Sequence, residues 1–562
     1  MRKNAFTLIE LLAVIVILAI IALIATPIII NIIEDSKSGS IKESVNLYID
    51  TVSKEISKIN LKQKLNPDKC IIVDSVLKCD GQTINVDIKG QKPTCGQIKY
   101  KDGKVISYSI NMDNKLITKT KEDNIYIEDV NYCSIEVVEI EEGLTPVIYE
   151  NGNWIITTED DSNWYDYENQ KWANAVILEH GVSSEIGKIL KVDGTNPDVK
   201  AMLVYVPRYE YKIDGRFGKR LDGTDGTSDY PGAIDIKFIP KEKTTPTEGY
   251  MIPPGFKFGE KQLNGIWVGK FETGVISNYG TNTSLPPYVI PNVPALVYQD
   301  VAHQFMTSQT FNEYLTNADS HMIKNSEWAA VAYLTESIYG KYGNPDYQEK
   351  DKQVYLNNSY NDYYREYTGR SAGTYSGSEI TDTNIYPTEN TDNKIDSTYG
   401  FYTYDGYLLK YKTNEIDNTK EPNLLTVAST TGNIYGIYDM NGATEHVMGI
   451  HLQKNSNNEY ILYIGTRENA NSGFNGLYAE GGEKIDGIDL PDSKYYDTVK
   501  FYDEKTGQGL AEIGNRWCQY CGVGFSSNEP FITRNRMFSF ASRPGAAYYY
   551  GTRPFRIAIT DE

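Results

Sequence analysis

The N-terminal part of the chain shows two successive hydrophobic patterns. Residues 11–30 form an almost unbroken apolar run in which Thr26 is the one polar side chain. A helix of this length spans about 30 Å, the thickness of the hydrocarbon core of a bilayer. Arg2 and Lys3 precede the run, and basic residues favour the cytoplasmic side. The pattern therefore predicts a single membrane span with its N-terminus in the cytoplasm.

Beyond this run the apolar positions follow a helical period. They recur every three or four residues, which predicts an amphipathic helix with one apolar stripe. The stripe consists of Ile41, Val45, Tyr48, Val52, Ile56 and Ile59. Asn66-Pro67 predicts the end of the helix. The stripe indicates either a helix that packs on another element or a free amphipathic helix.

The short leader before the apolar run resembles the signal of a type IV prepilin. The leader is basic and continues as Phe6-Thr7-Leu8-Ile9-Glu10. The resemblance implies cleavage between Ala5 and Phe6 by a prepilin peptidase, N-methylation of Phe6, and pairing of Glu10 with the Phe6 amine of a neighbouring pilin subunit. A carboxylate at the edge of hydrocarbon is costly unless it is paired. A plain signal anchor, with Glu10 at the interface, is the alternative.

This resemblance organises the first part of the chain. It implies a leader at 1–5, a transmembrane and spine helix at 6–65, and a small pilin β domain at 66–140. It also implies a precursor in the inner (cytoplasmic) membrane that later reaches the cell surface or a pilus. In such a domain the helical stripe packs on the sheet.

Cysteines mark the predicted β domain. Cys70, Cys79, Cys95 and Cys133 lie in a segment that the topology places outside the cytoplasm, where disulfides are expected. We predict Cys70–Cys79 and Cys95–Cys133, because the first two flank a short turn; other pairings remain open. Zinc is the alternative, but the spacings lack close Cys-x-x-Cys pairs. Residues 98–110 alternate around Asp-Gly, which predicts a β-hairpin.

The rest of the chain differs from the first part in composition and in its predicted elements. Residues 141–153 are predicted to form a linker, and residues 154–562 are rich in aromatic residues, glycine and short strands. One helix is predicted near 326–334, with Ser326 as its N-cap. Residues 341–425 are predicted to be a long irregular insertion. The predicted class for the whole chain is α+β, with a small disulfide-tied antiparallel sheet followed by a large mixed domain.

Several segments of 154–562 resemble the formylglycine-generating-enzyme/sulfatase-modifying-factor superfamily. The most specific is Tyr435-Gly436-Ile437-Tyr438-Asp439-Met440-Asn441-Gly442. The others are Lys171-Trp172-Ala173-Asn174-Ala175-Val176, Val206-Pro207-Arg208-Tyr209-Glu210-Tyr211, Gly265-Ile266-Trp267-Val268-Gly269-Lys270-Phe271-Glu272, Lys324-Asn325-Ser326-Glu327-Trp328 and Pro554-Phe555-Arg556-Ile557. The resemblance implies a core of C-type-lectin-like fold.

Catalysis is not expected, although oxidases of this superfamily exist. They hold copper with two cysteines near the C-terminus, and Cys518 and Cys521 are the candidates in this chain. Their spacing is tighter than that of the family's pair, which favours a local disulfide or two neighbouring thiols. The iron-dependent branch needs a set of histidines, and the five histidines of the chain lack such spacing.

The resemblance also implies a calcium site. Members of the superfamily bind Ca²⁺ in the segment that corresponds to Asn441, Gly442, Ala443 and Glu445. An amide, backbone carbonyls and a carboxylate are the oxygen ligands that Ca²⁺ prefers. A glycine turn with a surface Glu445 is the alternative.

Residues 534–553 concentrate arginine and aromatic residues, the types that dominate interface hot spots. In the C-type-lectin-like variable proteins of diversity-generating retroelements, the corresponding region forms the ligand face. We therefore predict a binding surface in this stretch; the alternative is that the aromatic residues face the core. The predicted residues are Trp517, Tyr520, Arg534, Arg536, Phe538, Phe540, Arg543, Tyr548, Tyr549 and Tyr550.

Charge narrows the functional classes. The chain has 55 basic and 75 acidic residues and a net charge of −20, which argues against binding of nucleic acid. The predicted function is that of a minor, tip-located type IV pilin-like surface protein that displays a lectin-like domain for a protein or glycan ligand. The alternatives are an assembly role as a pseudopilin of a secretion or competence system, and a surface-displayed oxidase.

Overall fold

The computed structural model shows two compact units, residues 1–135 and 136–562. It describes residues 36–59, 69–129, 138–347, 367–372, 400–440 and 555–561 with short internal gaps, and the stretches 449–454, 460–465, 478–479, 493–495, 524–526 and 529–531. Helix α1 covers residues 36–59. Two further α-helices follow, α2 (Val301–Gln309) and α3 (Asn325–Thr335).

The strands follow in chain order. The first unit has β1 (Lys69–Val73), β2 (Val76–Cys79), β3 (Gln82–Ile84), β4 (Cys95–Lys101), β5 (Lys104–Met112), β6 (Lys115–Lys119) and β7 (Ile125–Asp129). The second has β8 (Thr145–Glu150), β9 (Asn153–Ile156), β10 (Asn174–Leu178), β11 (Ile189–Leu190), β12 (Val199–Pro207), β13 (Tyr209–Lys212), β14 (Asp235–Phe238), β15 (Lys257–Phe258), β16 (Lys261–Gln262), β17 (Gly265–Gly269), β18 (Gly274–Val275), β19 (Pro287–Tyr288), β20 (Ala318–Met322), β21 (Ser371–Ala372), β22 (Gly400–Tyr402), β23 (Tyr407–Lys412), β24 (Glu415–Pro422), β25 (Gly449–Lys454), β26 (Tyr460–Gly465), β27 (Tyr478–Ala479), β28 (Gly524–Ser526), β29 (Glu529–Phe531) and β30 (Ile557–Asp561).

In the first unit, α1 packs its apolar stripe on an antiparallel sheet. The sheet has seven strands in the order β3-β2-β1-β4-β5-β6-β7. Val45 and Val52 of the helix are fully buried in one core with Ile72, Ile98 and Ile110 of the sheet. Because the stripe and the sheet bury each other, the helix is a packed element of the unit. The hairpin predicted at 98–110 is confirmed as β4–β5.

One disulfide of this sheet is visible in full. Cys70 and Cys79 lie directly opposite each other on β1 and β2, and their sulfur atoms are bonded, as predicted. Cys95 is also in a disulfide. Its predicted partner, Cys133, lies outside the described residues.

The second unit is built on an eight-stranded sheet in the order β11-β9-β8-β10-β12-β17-β30-β20. Its strand β12 is buried along its whole length, as expected for a central strand with both faces covered. Strand β30 lies between β17 and β20, so residues far apart in sequence are neighbours in the sheet. The fully buried indoles of Trp154, Trp164, Trp172 and Trp267 belong to the same core.

Two segments that were predicted to be a linker and an irregular insertion contain strands. The segment 141–153 is not a linker, because β8 lies within it and pairs with both β9 and β10 of the main sheet. The segment 341–425 is not wholly irregular either. It contains β21–β24, which form a four-stranded sheet, and Thr368, which is fully buried and donates a hydrogen bond to the carbonyl oxygen of Ile290 at 2.7 Å.

The predicted helix near 326–334 is present as α3, but its cap differs. The N-cap is Lys324, and Ser326 lies within the first turn. The Lys324 backbone N–H donates to Oε2 of Glu327 at 2.8 Å. A glutamate at the third helical position can satisfy the N-cap N–H in this way, and here it replaces a hydroxyl cap.

Candidate functional site

Most of the residues predicted to act lie outside the part of the chain that the structure describes. These are the processing and assembly residues Ala5, Phe6 and Glu10, the calcium candidates Asn441, Gly442, Ala443 and Glu445, the cysteines Cys518 and Cys521, and the binding-face residues Trp517, Tyr520, Arg534, Arg536, Phe538, Phe540, Arg543, Tyr548, Tyr549 and Tyr550. The structure does describe the residues that border two of these segments.

A buried arginine joins those borders. Arg556 directly precedes β30 and is fully buried. Its Nη1 donates to the carbonyl oxygen of Gly269 at 2.6 Å, and its Nη2 donates to that of Tyr438 at 2.8 Å. The planar guanidinium can reach two carbonyls at once because its donors form a fixed fork. Arg556 therefore holds the backbone of Tyr438 next to itself. Tyr438 lies three positions before the first calcium candidate, Asn441.

Lys270, the residue after β17, reinforces the same junction. Its Nζ donates to Oδ1 of Asn174 at 2.8 Å and to the carbonyl oxygens of Ile434 at 2.6 Å and Gly436 at 2.8 Å. The ammonium also lies 5.0 Å from the ring centroid of Trp154. Burial lowers the pKa of Lys270 well below its usual range. The three oxygen acceptors match the three donors of an ammonium group.

Asp439 holds the next turn of the chain. Its φ is 59°, a left-handed conformation that aspartate tolerates better than most residues. The backbone N–H of Gly369 donates to its carboxylate at 2.9 Å, and the backbone N–H of Glu272 approaches it at 3.4 Å. We call Lys270, Tyr438, Asp439 and Arg556 the Arg556 cluster. It gives the borders of both predicted segments, 441–445 and 534–553, a common buried support.

A second buried charged cluster surrounds His321 on β20. Its Nδ1 lies 3.3 Å from Oδ1 of Asp319, its Nε2 lies 3.2 Å from Oε1 of Glu327, and Nζ of Lys324 lies 3.2 Å from the same oxygen. Burial by itself lowers the pKa of His321, but Glu327 and Asp319 outweigh it, so the pKa is raised. Tyr495 donates to Oδ2 of Asp319 at 2.8 Å. The charged groups of the cluster are paired inside the fold, although Nδ1 of His321 and Oδ1 of Asp319 meet at ion-pair distance without a hydrogen bond.

Sequence reasoning identified these motifs but gave their charged residues no role. Lys270, Arg556 and Glu327 all occur in the segments that suggested the superfamily. The signal that could have marked them is a charged residue among apolar neighbours in the sequence, which is expected to be paired inside the fold.

The described residues lack a metal-binding cluster and a membrane-spanning helix. Among them, no group of three or more His, Cys, Asp or Glu side chains is arranged to hold a metal ion. Nor does any helix in this part of the chain have the length and apolarity needed to cross a membrane.

The N-terminus of the chain matches a known family model. Residues 1–26 match the family described as the prokaryotic N-terminal methylation motif, the signal of type IV pilin-like proteins. No curated protein matches the chain. The motif implies a membrane-anchored precursor that is processed by a prepilin peptidase, assembles with other pilin subunits and is exported to the surface.

Proposed function

We propose that this chain is a minor, tip-located pilin-like subunit whose second unit binds a ligand at the cell surface. The observation that carries the proposal is the combination of the methylation motif at residues 1–26 with a second compact unit, residues 136–562, that has its own core. A unit of this size is too bulky for every subunit of a closely packed filament. A position at the tip avoids that crowding.

The lectin-like character of the second unit belongs to the proposal. It is supported by the superfamily motifs, whose residues Asn174, Lys270, Asp439 and Arg556 form or contact the Arg556 cluster. The ligand face is proposed at residues 534–553 with Trp517 and Tyr520. Rigid support next to a binding segment lowers the ordering cost of binding.

Deletion of residues 136–562 tests the role of the second unit. Cells that produce the full chain and cells that produce the truncated chain are compared for fibres by electron microscopy and for attachment to host or partner cells. Loss of attachment with normal fibres supports ligand binding. Loss of the fibres themselves favours the other role compatible with the motif, that of a pseudopilin in assembly.

A triple variant tests the ligand face. Replacement of Arg543, Tyr548 and Tyr549 by alanine is expected to abolish attachment while the second unit stays folded. The matched control replaces three exposed residues of the first unit, Lys58, Glu43 and Tyr126. Normal attachment by a folded triple variant overturns the assignment of this face.

We also propose that residues 441–445 bind Ca²⁺ through Asn441, Glu445 and the backbone of Gly442 and Ala443. Isothermal titration with CaCl₂ is expected to show one site in the full chain and a loss of affinity in Glu445→Gln. Equal calcium binding by both chains contradicts the assignment.

A further inference from the structure

Four elements of the second unit meet around the ammonium group of Lys200. Lys200 is the second residue of β12, Tyr288 ends β19, Tyr314 closes the 3₁₀ helix Thr310–Tyr314, and Glu179 follows β10. The backbone N–H of Val289 donates to the carbonyl oxygen of Lys200 at 3.0 Å, which fixes Tyr288 beside the lysine. The arrangement thus depends on the fold rather than on one loop.

Aromatic rings surround the ammonium group of Lys200. Lys200 is 5% exposed. Its Nζ lies 4.3 Å from the ring centroid of Tyr288, 5.8 Å from that of Tyr314 and 6.0 Å from that of Phe311. In the part of the chain that the structure describes, this nitrogen makes no hydrogen bond or ion pair. Aromatic faces attract a cation but leave its N–H donors unused, so these donors remain available to a ligand.

The rim of the site adds an acceptor and aromatic surface. Tyr314 donates from its hydroxyl to Oε2 of Glu179 at 3.4 Å. The ring of His180, an exposed residue, stacks on the ring of Tyr314 with centroids 4.4 Å apart and planes 17° apart. Tyr288 and Tyr314 are half-buried. Donors, a carboxylate and partly open rings therefore converge on one place, as in small-molecule sites.

The charges of the site restrict the ligand. The pKa of Lys200 is lowered, because burial outweighs the opposite effect of the carboxylates of Glu179 and Glu313. Both acidic groups therefore act on the ammonium. A bound anion would meet these two carboxylates, and a bound cation would meet Lys200. A neutral polyol avoids both, since each hydroxyl can donate to Glu179 and accept from Lys200.

We propose that Lys200, Glu179, Tyr288, Tyr314 and His180 form a binding site for an uncharged hexose unit of a glycan. The inference rests on the proposed ligand-binding function and specifies a class of ligand for the second unit. Sugar hydroxyls take the donors of Lys200 and the acceptor of Glu179. The apolar C–H face of the pyranose lies against an aromatic ring, which combines apolar area with a polar edge.

A glycan array tests the proposal. The full chain, held in a detergent without a sugar headgroup, is applied to an array of neutral and acidic hexose oligosaccharides. Binding to neutral members is expected. Titration with the best neutral oligosaccharide then compares the wild type with Lys200→Met and Glu179→Gln. Each variant is expected to lose about tenfold or more in affinity, because a hydrogen bond to a charged group is removed.

Controls separate binding from folding. Glu185→Gln, an exposed change in the loop after His180, is expected to bind like the wild type. His180→Ala removes an exposed ring and keeps the test open if Lys200→Met does not fold. Equal melting temperatures identify the folded variants.

Three results would overturn this inference: no binding to neutral members, binding to acidic members alone, or wild-type affinity in folded Glu179→Gln and His180→Ala. Its failure is distinguishable from failure of the proposed function. If attachment requires residues 136–562 but is unchanged in these variants, ligand display stands and the Lys200 site does not.

Discussion

Charged side chains in the interior of the second unit are held largely by backbone oxygens and amides. Arg556 donates to the carbonyls of Gly269 and Tyr438, and Arg208 donates to that of Phe256 at 3.0 Å. Glu210, fully buried, accepts from the Thr247 backbone N–H at 2.8 Å and lies 3.0 Å from Nζ of Lys243. Such contacts fix the direction of the chain, because a buried charge tolerates few alternative arrangements.

The two guanidinium donors of Arg556 make even the conservative change to lysine destabilising. Arg556→Lys keeps the charge but has one nitrogen, which cannot replace both donors to Gly269 and Tyr438. We expect the free energy of unfolding of the second unit to fall by about 1–3 kcal/mol, the cost of leaving a buried acceptor unpaired. Urea unfolding measures the loss. Lys219→Arg, in an exposed ion pair with Asp225, is the control and should change little. Equal effects of the two substitutions would contradict the role of the fork.

Glu141 gives the second unit a pH dependence. Burial, with Asp561 and Glu139 nearby, raises the pKa of Glu141 from 4.5 to about 7. The folded state thus favours the protonated carboxyl. Its contribution to stability is complete below the ordinary pKa and is lost as the pH rises through about 7.

Glu141→Gln imitates the protonated form. We expect this variant to match the wild type near pH 4.5 and to be more stable at pH 8. Denaturant unfolding at both pH values, with the exposed neighbour Glu142→Gln as control, checks the expectation. A stability difference that is independent of pH would argue against it.

At the scale of elements, local patterns correctly predicted the elements that depend on neighbouring residues. They did not predict which distant segments pair in the sheets. The stripe of α1 and the hairpin β4–β5 depend on residues close in sequence. The helical period, the strand alternation and the turn residues were therefore sufficient to predict them. The place of β30 between β17 and β20 depends on pairs such as Trp267 with Ile559, which no local pattern specifies. For the same reason the sequence predicts a linker where β8 lies: the pairing of β8 with β10 cannot be inferred from residues 141–153 alone.

The candidate site was predictable to a similar degree. The motifs around Lys270, Asp439 and Arg556 stood out in the sequence, but their meeting in one cluster required the fold. The Lys200 site was missed entirely. Its members come from four separate segments, and none carries a recognisable spacing.

The Cys70–Cys79 disulfide joins two strands that already pair. Closing a loop of this length is expected to contribute about 2–3 kcal/mol, mainly by restricting the unfolded chain. We expect Cys70→Ala with Cys79→Ala to lower the opening free energy of β1 and β2 amides by that amount in hydrogen exchange of the full chain. Thr83→Ala, an exposed change on β3, is the control. Unchanged exchange at β1 and β2 would show that strand pairing alone sets their stability.

On the scale of the whole molecule, the two units have separate cores. Among the described residues, the core with Val45 and Ile98 shares no member with the core that contains Trp267. Each unit is therefore expected to fold without help from the other. This independence would allow a new display unit to be joined to an existing anchor and sheet.

A fragment of residues 36–135 tests this independence. Produced under oxidising conditions, it is expected to unfold cooperatively on heating and to show the far-ultraviolet dichroism of a mixed helix and sheet. The same fragment with Val45→Asp, which places a charge in the core, should not fold. A wild-type fragment without a cooperative transition would contradict the expectation.

The position of β30 also orders events during synthesis. Strand β17 leaves the ribosome almost three hundred residues before its neighbour β30 (Ile557–Asp561), roughly half a minute at ~10 residues per second. Until then β17 and β20 lack the strand that joins them. A message with a premature stop yields a chain in which this gap cannot close, leaving two open strand edges for proteases and chaperones to recognise. Synthesis of β30 thus acts as a checkpoint on which copies reach the native state.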